Sequence, residues 1–173
     1  MIDLETLDTS PACVVLTIGA VKFDPKKETV VDELYIRVDV DEQLARNRTV
    51  DDGTVAWWAT QPQMVQDEAM GEQDRMAVTD MIYQLNKFMV GTELIWGQGY
   101  GFDMTILENL YQQYGVNKPW NFWSLRDSRT VFKMMKTDPL RVIPKVMAHN
   151  ALADAHHQAQ CLQWCYNQLG LRE

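Results

Sequence analysis

The chain is poor in cysteine, with Cys13, Cys161 and Cys165 alone among 173 residues. An odd count in no disulfide-framework spacing excludes a stapled secreted scaffold and points to a reducing compartment, the cytoplasm by default. No apolar run approaches the roughly 18 residues that a membrane helix needs, so no membrane span is expected. A basic segment followed by an apolar stretch is missing from the start, and no secretory signal is expected. Internal repeats, low-complexity tracts and Pro/Gly/Ser-rich linkers are also missing, so residues 1–173 are expected to pack as a single domain. With 46% hydrophobic and 23% charged residues, the chain is ordinary for a globular protein and long enough to bury a sizeable core.

Positive charge is scarce: 16 Lys and Arg against 24 Asp and Glu leave a formal net charge of -8. Taken alone, that balance argues against a partner rich in phosphate. Its distribution argues otherwise. Between Lys118 and Lys145 the basic residues Lys118, Arg126, Arg129, Lys133, Lys136, Arg141 and Lys145 face only Asp127 and Asp138. Such a basic stretch suits a polyanionic substrate, although a solvated helix face with a loop explains the same residues.

The early chain reads as β: a strand around Asp3, an apolar β-branched run over 14–23, a turn at Asp24-Pro25, and alternation from Val30 to Val40. Helices are expected over 54–60 and 74–90, the latter placing Val78, Met81, Ile82, Leu85, Phe88 and Met89 on one face. A short strand at 93–96, a helix over 102–114 closed by Gly115, a strand at 122–125, a helix after Arg126 and a final helix over 150–169 complete an α/β domain.

Five residues offer hydrolytic chemistry. On a strand, Asp3 and Glu5 point to one face, roughly 6.6 Å apart along the chain, and Ile2, Leu4 and Leu7 suggest a mostly buried strand near the sheet centre. Ionised carboxylates there are expensive unless metals or donors compensate them, and hard divalent cations want such oxygens. Asp103 alone reads as a helix N-cap, His149 as a packed or surface imidazole, and Asp154 as an acid favoured by a helix dipole. Gly97-x-Gly99 lacks the third glycine of a dinucleotide loop, because position 102 is Phe. His157, Cys161 and Cys165 share a helical face with Asp154, and core packing explains them better than zinc.

The order of these residues carries more than any one of them. Through Ile2-Asp-Leu-Glu-Thr6, Thr54-Val-Ala-Trp-Trp58, Gly101-Phe-Asp103, Arg126-Asp-Ser-Arg-Thr130 and His149 to Asp154, nearly the whole chain resembles the DEDDh (DnaQ-like) 3′–5′ exonucleases. It looks closest to their phage DexA-type branch. The resemblance implies an RNase H-like fold with a mixed five-stranded sheet flanked by helices. It implies that Asp3, Glu5, Asp103 and Asp154 ligate two Mg²⁺ or Mn²⁺ ions, with Asp3 bridging, and that His149 is the general base. Thr6, Leu7, Trp57, Trp58, Phe102 and Arg129 are the implied substrate contacts. The implied reaction removes nucleoside 5′-monophosphates from the 3′ end of single-stranded nucleic acid, DNA ahead of RNA. A homodimer is the implied assembly, and the implied location is the cytoplasm, the host's for a phage-encoded chain. The alternative is a non-catalytic nucleic-acid or protein-binding module on the same fold; retention of all five residues speaks against it. Two features depart from the family pattern: only two residues precede Asp3, and Gly97-Gln-Gly-Tyr-Gly101 stands where many relatives carry His-Asn.

Overall fold

A computed structural model describes residues 1–171, so the last two residues of the expected 1–173 domain lie outside it. The strands β1 (Ile2–Thr6), β2 (Val15–Phe23), β3 (Val30–Val38) and β4 (Arg75–Met76) form a sheet in the order β1-β2-β3-β4. The first two pairings are antiparallel and the last is parallel. A separate parallel pair joins β5 (Ile95–Gly97) to β6 (Leu125–Asp127). The expected five-stranded sheet is therefore corrected to a four-stranded sheet plus a two-stranded one.

The reason is local. β5 runs alongside β1 without entering its ladder, and the Leu4 N–H instead donates to the Asp103 carboxylate at 3.2 Å. β1 is thus the edge of its hydrogen-bonded sheet rather than the centre. β4 was expected to be helical. Asp74 has a left-handed φ of 56°, and the Arg75 guanidinium bonds the carbonyls of Leu16, Val38, Ala69 and Gly71, holding this segment extended.

Helices cover both faces. α4 (Val78–Met89) and α5 (Tyr100–Gln113) pack with Ile2, Leu4, Ile18 and Ile36 in the larger core cluster. Against the opposite face lie α6 (Ser128–Met134) and α8 (Ala151–Gln168), whose Phe132, Ala155, Ala159 and Leu162 meet Met1, Val21 and Trp96. The expected helix at 54–60 is α2 (Asp52–Trp58), capped by Asp51. Short helices α1 (Val40–Ala45), α3 (Gln63–Met70) and α7 (Pro139–Val142) have no counterpart in the sequence expectation, because runs of one or two turns carry little periodicity. Phe122–Ser124 forms a 3₁₀ turn, and the strand expected there begins at Leu125. The three cysteines are buried and free. Among the described residues, no helix is long and apolar enough to cross a membrane.

α8 approaches the sheet unusually closely. Gly19, paired with Asp3 across the ladder, has no side chain, and a Cβ there would lie 2.1 Å from the carbonyl carbon of Ala151. The absence of that methyl group lets the first turn of α8 rest on β2 beside Asp3.

Candidate active site

Alternation along β1 buries Ile2 and Leu4 against α4 and α5, leaving Asp3 and Glu5 toward α8. α5 begins directly after β5 because Gly99 adopts a left-handed φ of 94° as its N-cap. Asp103 is therefore not the cap. It lies buried in the first turn, with Oδ1 on the Leu4 N–H, between Asp3 and Glu5. At the start of α8, Asn150 caps the helix by accepting from the Ala153 N–H, and Asp154 falls in the first turn. The backbone N–H of His149 donates to Asp154 Oδ2 at 3.1 Å. His149 has a left-handed φ of 59°, an uncommon geometry for a residue with a Cβ that clusters at functional sites. Ligand atoms of Glu5, His149 and Asp154 all lie within 4.8 Å of one another.

The carboxylates repel one another. Burial, with Asp103 and Glu5 nearby, drives the Asp3 carboxyl well above its usual range, against the pull of a hydrogen bond from Gln158. That amide Nε2, one turn beyond Asp154 on α8, donates to Asp3 Oδ1 at 2.7 Å. Glu5 is raised to about 8, by burial first and Asp154 second, with Lys145 opposing. Burial raises Asp103 to about 7, against its backbone hydrogen bonds and the Arg129 charge. Asp154 Oδ1 is buried without a well-formed hydrogen bond; the Lys145 ammonium lies 2.6 Å from it as a stand-in cation. Clustered oxygen donors, one without a hydrogen bond, fit hard divalent ions.

A pH dependence follows. Below about 4.5, the ordinary Glu value, folded and unfolded chains both hold the Glu5 proton; as pH rises toward about 8, only the folded chain keeps it. Stability from this group is therefore present at low pH and lost on rising through that window. The buried Met1 amine, lowered to about 5 by burial, acts in the opposite sense between about 5 and 8. It lies outside the carboxylate cluster, so thermal melts with and without Mn²⁺ isolate the acids. Mn²⁺ should raise the melting temperature more at pH 8.5 than at pH 5.5; an equal rise at both would refute the assignment.

Beside the acids, a groove of about 380 Å³ is lined by Glu5, Thr6, Thr9, Asp51, Thr54, Trp57, Trp58 and Phe102, among others. The two tryptophans divide their roles. Trp58 is buried, with Nε1 donating to Thr6 O at 2.9 Å. Trp57 is exposed, its ring centroid 4.8 Å from the His149 ring in an edge-on contact. Leu7 packs half-buried against the Leu16 and Trp58 cluster. Arg129 is exposed, donates to Gln98 O and lies close enough to influence Asp103. Larger hollows, including one of about 530 Å³ bounded by Met1, Phe23 and Phe88, lack these acids.

Sequence reasoning passed over Gln158, Gly19, and the specific position of Lys145. The spacing of Gln158, four residues after Asp154 on one helical face, was a usable signal. Gly19 had none, since its close approach to Ala151 joins segments far apart in the chain, and the Lys145 contact had none, since it is made by a loop without periodicity.

No curated protein matches the chain. A family model described as the 3′-5′ exoribonuclease Rv2179c-like domain matches residues 1–166. The chain belongs to the Rv2179c-like 3′–5′ exoribonuclease domain family, and it is an exonuclease.

Proposed function

We propose that the protein is a DEDDh-type, metal-dependent exonuclease that removes nucleoside 5′-monophosphates from the 3′ end of single-stranded RNA. The observation that carries this reading is the convergence of Asp3, Glu5, Asp103 and Asp154, from three separated segments, beside His149. RNA comes ahead of DNA because of the family's exoribonuclease description. That ordering reverses the one implied by the resemblance to the DexA-type branch.

In this reading the four carboxylates hold two divalent cations, Mg²⁺ or Mn²⁺. Bound there, the ions supply Lewis-acid activation of water and neutralise charge on the transferring phosphoryl group. The protein's own residues do the rest. His149 accepts the proton of the attacking water, and a positioned general base of this kind contributes about 10²–10⁴-fold. Its edge-on contact with Trp57 and the backbone bond to Asp154 fix where the imidazole can be. Trp57 and Phe102, both part-exposed on the groove, offer faces for the terminal base, and stacking tolerates any base. Gln158 occupies one oxygen of Asp3, orienting that carboxylate while leaving its other oxygen for a cation. Arg129 stands at the α5 side as a phosphate contact.

The test uses 5′-labelled single-stranded RNA, single-stranded DNA and a 3′-overhang duplex, each with Mg²⁺, Mn²⁺ or EDTA. A ladder shortening from the 3′ end, dependent on metal and faster on RNA, is the expected result. Faster loss of DNA would restore the DNA preference, and cleavage in EDTA would refute the metal reading.

The cytoplasm is the proposed location and a homodimer the proposed assembly, with the basic 118–145 surface of one copy serving the groove of the other. Sedimentation at several concentrations checks the assembly; a monomer throughout removes it.

A further inference from the structure

We infer that Lys145 is a built-in counter-ion which shares Asp154 with the catalytic cations and, when displaced by them, anchors the substrate phosphate. The inference rests on the metal-site reading above and concerns what occupies that site before the ions arrive. Its starting point is one contact: Lys145 Nζ lies 2.6 Å from Asp154 Oδ1. The other oxygen, Oδ2, already accepts the His149 N–H, so Oδ1 is the part of this carboxylate open to a cation. The same ammonium also opposes the upward shift of Glu5. A cation binding at Oδ1 must therefore compete with Lys145.

Four other basic residues of the 118–145 stretch have different partners. Lys118 pairs with Glu108, Arg141 with Asp138, Arg126 donates to the Trp123 and Leu125 carbonyls, and Arg129 donates to Gln98 O. Lys145 sits between α7 and α8 in a stretch without helix or strand, next to Val146, which is 98% exposed. A lysine on such backbone combines a flexible four-carbon stem with a strongly hydrated point charge. It can leave one oxygen and reach another without refolding anything. Once the cations neutralise the carboxylates, the anion that next enters the groove is the phosphodiester, and a lysine ammonium binds phosphate well as a point charge. His149 lies four residues further along the same loop, so repositioning Lys145 occurs beside the proposed base. The consequence is an order of events: metal loading frees the lysine, and the freed lysine strengthens substrate binding.

The prediction has a sign that an ordinary site residue would not produce. In titration calorimetry of the full chain with MnCl₂ alone, Lys145→Met should bind Mn²⁺ roughly three- to tenfold tighter than wild type, because a partly exposed ion pair no longer competes. In steady-state cleavage of a 5′-labelled oligonucleotide at saturating Mn²⁺, the same variant should show a KM raised about tenfold, with kcat changed less. Lys145→Arg should retain most of the wild-type behaviour in both assays. Unchanged or weaker Mn²⁺ binding by a folded Lys145→Met protein would overturn the counter-ion role. Tighter Mn²⁺ binding with an unchanged KM would overturn the transfer to substrate. Wild-type protein that takes up no Mn²⁺ would overturn this inference together with the metal-site reading beneath it, whereas normal wild-type uptake with no change in the variant would overturn this inference alone.

Discussion

Asp103→Asn should lower cleavage by at least about a thousandfold while making the metal-free protein more stable at pH 8. In the proposed metal site the substitution replaces an anionic ligand by a neutral amide, and activity is expected to fall for that reason. A metal site supplies several kcal/mol of transition-state stabilisation, and each 1.36 kcal/mol is tenfold in rate. The gain in stability comes from the same substitution. Asp103 is buried, and it is among the charges that push the Asp3 and Glu5 carboxyls upward. An asparagine keeps an oxygen for the Leu4 N–H, so the link to β1 survives, while one of the mutually repelling carboxylates is gone. The measurements are rate of 3′-end shortening and thermal melts in EDTA at pH 6 and pH 8. The rise in melting temperature should be larger at pH 8, where more of the cluster is ionised. Full activity, or a melting temperature that falls at pH 8, would show that Asp103 serves the fold through its bond to the Leu4 N–H rather than as part of a strained charge cluster.

A second large effect is expected at a residue that itself carries no side chain. Gly19→Ala should destabilise the fold by about 3 kcal/mol or more, the upper range for forcing a methyl group into packed structure. The new Cβ would meet the Ala151 carbonyl carbon at 2.1 Å and the Leu152 nitrogen at 2.2 Å. Both are backbone atoms at the start of α8, which cannot rotate aside as a side-chain tip could. Relief requires shifting the helix, and Asp154 lies three residues beyond Ala151. The melting temperature should fall by roughly 6–12 °C for a domain of this size, with Mn²⁺ affinity reduced in the protein that remains folded. Gly101→Ala serves as the control, because a Cβ there meets nothing within 4 Å. In a helix that change should be neutral or mildly stabilising. Equal melting temperatures for wild type and Gly19→Ala would refute the close-packing account.

The expectation of an α/β protein could be read from the residues, while Asp3, Glu5, Asp103, His149 and Asp154 became a candidate set only through the resemblance carried by their order along the chain. Each of these lies on β1 or near the start of a long helix, where alternation, helical periodicity and N-terminal chemistry leave local patterns. The short elements were harder to read. α3 and β4 depend on Arg75 reaching carbonyls on β2, β3 and α3, contacts with no signature in the neighbouring residues. The strand count failed for a related reason. Hydrogen bonding at the free edge of β1 depends on where Asp103 arrives, and a side-chain oxygen at 3.2 Å serves the Leu4 N–H there.

By itself, the amino-acid sequence determined which side chains are candidates for the chemistry, the approximate course of the longer strands and helices, and the absence of any long apolar span. Those properties follow from residue type and from spacing within one element. Tertiary structure alone decided that Trp58 is buried while Trp57 meets His149, that Gln158 orients Asp3, that Lys145 reaches Asp154, and that Gly19 lets α8 descend onto β2. The physical reason is that charge repulsion, close packing and hydrogen bonding act between atoms that folding brings within a few ångströms, while the residues bearing them stand up to 155 positions apart in the chain.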